Sequence, residues 1–182
     1  MSKMQSVPDI AGIIKKRRQK LEIREGYISL IWRALLIAAI GYVVFTQVII
    51  VTQANGIGMF PAIKDGDLII SFRLQQAYTK NDVVTYKVDG IRYIGRIAAR
   101  EKDVVTMDDS GTLLVNGTVQ GGEIFYPTYP GDTIQYPYTV PVNHCFILGD
   151  YRIHTKDSRD FGPVPMESVE GKVITIIRRR GI

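Results

Sequence analysis

Gly58-Met59-Phe60-Pro61-Ala62-Ile63, followed by Lys64-Asp65-Gly66-Asp67, is the stretch on which the reading of this chain turns. Here an apolar run gives way to short β-forming segments. On its N-terminal side, residues 34 to 52 contain no charge and consist mainly of Leu, Ile, Ala and Val, with Tyr42 and Phe45. About 20 such residues cross the hydrocarbon core of a bilayer as a helix. Trp32 and Arg33 suit the interface at its start, and Gln53 and Asn55 leave it at the other side. The expected organisation is a basic leader at residues 1–30, a signal anchor at 31–53 and a domain at 54–182. A cleaved signal peptide fits less well, because the apolar stretch and the leader before it are both too long. Gly58 then follows the span by about five residues, within about 17 Å of the bilayer even when fully extended. A site there works at the membrane surface.

On the C-terminal side the pattern is of short strands and turns. Leu68–Phe72 reads as a strand, and Val83–Val88 turns at Asp89-Gly90 into residues 91–94, a strong hairpin signal. Val104–Met107 turns through residues 108–111 into Leu113–Val115, and Asn116-Gly117 closes the next turn. Asn116-Gly117-Thr118 also matches a glycosylation acceptor, but the turn reading is the stronger. Residues 145–148 and 172–177 are further strands, while 121–142 reads as an irregular loop. The domain should be mainly β. Its single cysteine, Cys145, allows no internal disulfide and sits among apolar neighbours as a packed thiol.

The net charge of +5 raises nucleic acid as a partner, and its distribution excludes it. Residues 1–33 hold eight basic and three acidic side chains, while the remaining 149 residues balance. The charge belongs to the membrane flank and predicts a cytoplasmic N-terminus with an outward domain. Val7, Ile10, Ile13, Ile14 and Leu21 fall at roughly helical spacing, so the leader reads as an amphipathic helix on the inner surface or as a solvated segment. Two histidines and no Cys/His cluster give no metal site, and no cofactor is expected.

Three segments in order carry a family resemblance: the one beginning at Gly58, then Tyr93-Ile94-Gly95-Arg96-Ile97, then Gly149-Asp150-Tyr151-Arg152-Ile153-His154-Thr155-Lys156-Asp157-Ser158-Arg159. Behind an anchor, they resemble the conserved boxes of bacterial type I signal peptidases. The resemblance runs over roughly residues 30–180. It implies coiled antiparallel sheets close to the membrane. It also implies a nucleophilic Ser directly before Met-x-Pro and a general-base Lys directly before the Arg of the second box. Gly58 and Gly95 occupy those positions, and glycine supplies neither group. Loss of such a pair leaves catalysis on the order of 10³–10⁴ over water, negligible against a peptide bond. Asp150, Thr155, Asp157, Ser158 and Arg159 match scaffold positions, Thr155 standing where a Ser hydroxyl orients the Lys. In extended chain Asp157 and Arg159 share one face and can pair. Met59, Phe60 and Pro61 are the residues expected at the former cleft. Tyr151 replaces the usual Asn, and Ala98-Ala99-Arg100-Glu101-Lys102-Asp103 keeps only the Asp of the family's Gly-x-Pro-Gly-Asp run.

Gly95 within an apparent strand is either drift after loss of function or a widening of the cleft that admits a peptide by strand addition. Several groups offer a substitute chemistry on paper: His154 as base, and Ser158, Ser71, Thr52 or Cys145 as nucleophile. Their bland readings are scaffold, strand, membrane interface and core for the last four respectively. Self-cleaving repressors share the fold core but carry a DNA-binding domain where this chain has an anchor. Homologues lacking both Ser and Lys resemble those of streptococcal pilus gene clusters. That resemblance implies a single-pass plasma-membrane assembly factor or chaperone of a Gram-positive bacterium, working with pilin subunits or a class C sortase in pilus polymerisation. The alternative is an active type I signal peptidase with a displaced nucleophile.

Overall fold

The computed structural model describes residues 10–121, 124 and 126–178. The chain divides into two units, residues 1–45 and residues 46–182. In the first, Ile10–Val43 form α1, an unbroken helix of 34 residues. At 1.5 Å per residue it is about 51 Å long. No proline occurs within it to stop it, so the leader from Ile10 onward continues the same helix as the anchor. This corrects the expectation of a separate leader helix. Residues 1–9 of the leader, with Val7, lie outside the described residues. The stretch Ile14–Val48 is long and apolar enough to cross a membrane.

A π turn, Val44–Val48, begins the passage into strand. Ile49–Gln53 form β1, so the expected end of the anchor at Gln53 is corrected. Ile49, Ile50, Val51 and Thr52 are β-branched, which suits a strand as well as it suits a span. They pair antiparallel with Leu68–Phe72 (β2), Thr52 facing Ile69. Thr52 is therefore a strand residue.

The second unit is mainly β, as expected. After β2 come β3 (Val83–Val88), β4 (Ile91–Arg100), β5 (Val104–Met107), β6 (Leu113–Val115), β7 (Thr118–Val119), β8 (Tyr138–Thr139) and β9 (His144–Leu148). A one-turn helix α2 (Ser158–Phe161) precedes β10 (Val164–Pro165) and β11 (Val169–Ile177). Seven strands form one sheet in the order β1-β2-β11-β3-β4-β9-β10, and β7-β6-β5-β8 form a second. The β3–β4 turn places Asp89 and Gly90 at φ 50° and 79°, and the β6–β7 turn places Asn116 and Gly117 at 53° and 75°. Two consecutive positive φ values are what a tight hairpin requires, hence the Asp-Gly and Asn-Gly pairs.

β4 is shared between two neighbours. It pairs with β3 over residues 91–96, but β9 joins its other edge only from Arg96, opposite Leu148. Residues 91–95 therefore have strand partners on one side alone. Behind β4, Val84, Tyr86, Ile97, Cys145 and Ile147 share one buried cluster. Cys145 is fully buried, and burial pushes its thiol up to about 12, which removes it as a nucleophile at neutral pH.

Candidate functional site

The third box is densely hydrogen-bonded. Asp157 is completely buried and caps α2, its carboxylate accepting from the Arg159 backbone N–H at 3.1 Å and the Gly149 N–H at 3.1 Å. The Arg159 guanidinium donates to the same carboxylate from Nε and Nη2, both at 2.9 Å. Asp160 returns the cap by accepting the Asp157 N–H at 2.9 Å. The expected Asp157–Arg159 pair is present, but across a helix start and not along extended chain. Ser158 is fully buried, its hydroxyl accepting the Ile147 N–H at 3.0 Å, in keeping with a scaffold role.

Asp150 accepts two bonds from Arg96, at 2.8 and 2.6 Å, which ties the third box to the second. Arg152, which the sequence did not single out, is buried and donates to the Gly149 carbonyl at 2.8 Å and the Thr128 hydroxyl at 2.7 Å. Burial pushes its guanidinium down to about 10, against the opposing pull of Asp157 and Asp150. Its partner Thr128 lies in the loop read as irregular, so no local spacing could have revealed the contact.

Gly58, Gly149 and Thr155 meet closely. A Cβ on Gly58 would stand 2.9 Å from Thr155 Oγ1, and one on Gly149 would stand 2.2 Å from that atom and 2.6 Å from the Gly58 carbonyl. That carbonyl accepts the Tyr151 N–H at 3.0 Å. The first and third boxes thus converge, with a hydroxyl beside position 58. Gly95 is buried opposite Val84, and a Cβ there would lie 2.5 Å from Ile147 Cγ2, 3.2 Å from Tyr86 Cε1 and 3.3 Å from the Leu148 carbonyl. Its space is filled from the core, so the reading that Gly95 widens the cleft is corrected.

A cavity of about 530 Å³ opens here, lined by residues 52–59 and Ile63, by residues 91–94 of β4 and by residues 154–156. Met59 reaches it from the core, being 4% exposed and clustered with Ala54, Ile63 and Ile69. Phe60 and Pro61 do not line it and are exposed. Phe60 instead meets the edge of Tyr151 at 6.1 Å between centroids, and Tyr126 and His154 approach the same ring at 4.5 and 5.1 Å. His154 lines the cavity, whereas Ser71 is fully buried in β2. No group of three metal-ligating side chains stands together among the described residues.

A family model described as signal peptidase, peptidase S26, matches residues 26–177. The chain is 33% identical over 129 residues to probable thylakoidal processing peptidase 2 of Arabidopsis thaliana, covering 64% of this chain and 34% of that protein. Thylakoidal processing peptidase 1 of the same plant is 30% identical over 132 residues, covering 64% and 38%. The chain thus spans little more than a third of the length of these curated relatives. Mitochondrial inner membrane protease subunit 1 of Schizosaccharomyces pombe is 42% identical over 52 residues, covering 25% of this chain and 33% of that one. Among solved structures, a signal peptidase I from Enterococcus faecalis V583 matches with a TM-score of 0.47 and 26% identity, covering 55% of this chain and 98% of the other.

Proposed function

The chain belongs to the signal peptidase family, peptidase S26, and we propose that it is a member that holds exported polypeptide at the membrane without cleaving it. The observation that carries this reading is the pair of glycines at 58 and 95, where the family resemblance implies nucleophile and base. Glycine can neither attack a carbonyl nor take a proton. The contacts of Thr155 and Ile147 at 2.9 and 2.5 Å from where side chains would begin support a site adapted to that loss. The intact bonding of Asp150, Asp157, Ser158 and Arg159 supports a scaffold kept for a purpose other than hydrolysis. Residues 91–95, open on one edge beside the cavity, offer backbone groups to an extended segment by strand addition.

By the resemblance to homologues of streptococcal pilus clusters, the chain is an assembly factor or chaperone for pilin subunits or a class C sortase. The test mixes the full chain in lipid vesicles with a pilin precursor and a class C sortase. More polymer should form with the chain than without it, and no signal peptide should be released. Thr155, whose hydroxyl faces position 58, and His154, which lines the same cavity, are the observation behind the second reading, an active type I signal peptidase with a displaced nucleophile. Signal-peptide release that Thr155→Ala, His154→Ala or Ser158→Ala abolishes would establish that alternative and sink the non-cleaving reading.

A further inference from the structure

Among the described residues, the charged side chains in the cavity wall are Arg92 and Lys156, both cationic, with His154 beside them in the lining and no Asp or Glu. Arg92 is engaged, since Glu170 accepts from it and also pairs with Lys87 at 2.9 Å. Lys156 is exposed and takes part in no ion pair or hydrogen bond among the described residues. The surrounding carboxylates are turned elsewhere. Asp157 serves Arg159 and the Gly149 N–H, Asp150 serves Arg96, and Asp65 accepts from the Gly56 N–H at 2.6 Å. Met59, Ile63 and Ile94 contribute apolar side chains to the lining of the same cavity.

We propose that the cavity selects an extended polypeptide segment carrying an Asp or Glu side chain, set against Lys156, with apolar side chains against Met59, Ile63 and Ile94. The proposal rests on the peptide-holding reading above and names its ligand. Side chains of an extended segment alternate between faces, so every second one enters the cavity and the selected pattern is apolar, any, acidic. Strand addition along residues 91–95 carries the segment past the cavity as internal chain. The carboxylate is therefore a side chain's and not a chain end's. A charge-assisted bond to an exposed cation of this kind discriminates by about threefold to tenfold at low salt.

The probe is a fluorescent, end-blocked heptapeptide of alternating alanine and isoleucine with a central aspartate, titrated against the full chain in nanodiscs. Its partners are the asparagine isostere, a central-lysine peptide, and the asparagine peptide with a free C-terminal carboxylate. The aspartate peptide should bind about threefold to tenfold more tightly than the asparagine one at low salt, less so as salt rises. Lys156→Gln should erase the difference and Lys156→Glu should turn the preference to the lysine peptide, both with unchanged melting temperature because the side chain is exposed. Equal binding of the aspartate and asparagine peptides overturns the selectivity and leaves the peptide-holding reading standing. A preference confined to the free chain end overturns the side-chain assignment. Binding of no peptide at all overturns both.

Discussion

Positions 58 and 95 hold the same residue for different physical reasons, and single substitutions separate them. A methyl group at 95 is driven to 2.5 Å from the branched, fully buried Ile147, whereas one at 58 stands 2.9 Å from the hydroxyl of a half-buried Thr155, with ordinary contacts to its Cβ and Cα at 3.4 and 3.9 Å. Gly95→Ala should therefore destabilise the domain by about 1–3 kcal/mol through overpacking. Adding Ile147→Val should recover little of that loss, since it removes only the Cδ1 methyl and keeps the clashing Cγ2. Gly58→Ala should change stability by less than about 1 kcal/mol, because Thr155 can rotate. Urea unfolding of the full chain in detergent reads all three, and equal losses at 58 and 95 would refute the distinction. At Asp150, the bidentate bonds to Arg96 are largely shielded, so Asp150→Ala should lower stability by about 3 kcal/mol in the same assay.

Among the elements, strands β3, β4 and β11 are laced by one carboxylate, Glu170, that faces Lys87 and Arg92. The Arg92 bond, then that of Lys87, holds its carboxyl down to about 2, against the opposing pull of burial. A depressed folded-state value means stability that is complete above the unfolded value of about 4.3 and is lost as pH falls toward 2. Melting temperature should drop across that window, and Glu170→Gln should flatten the drop while lowering the plateau. The hairpins of these strands were legible in the sequence, because Asp-Gly and Asn-Gly pairs readily adopt two left-handed residues in succession. β1 was not, since Ile49, Ile50, Val51 and Thr52 serve a span and a strand equally and periodicity cannot separate them. The third box was legible as a motif, but its geometry was not: Arg152 finds Thr128, and Asp150 finds Arg96, across distances along the chain that only the folded sheet closes.

For the molecule as a whole, the basic flank of α1 sets the expected topology, leader inside and β unit outside. External protease on cells stripped of their wall should digest residues 60–182 and spare an epitope placed in the leader; the reverse pattern would overturn the orientation. The filled space behind Gly95 also bears on how the position can vary. Any side chain placed there enters a core already occupied by Ile147 and Tyr86, so a larger residue is penalised whatever chemistry it carries. Only a change that first shrinks position 147 escapes the penalty. Such epistasis works as a lock: the glycine and its neighbours hold one another in place, and neither position varies freely alone.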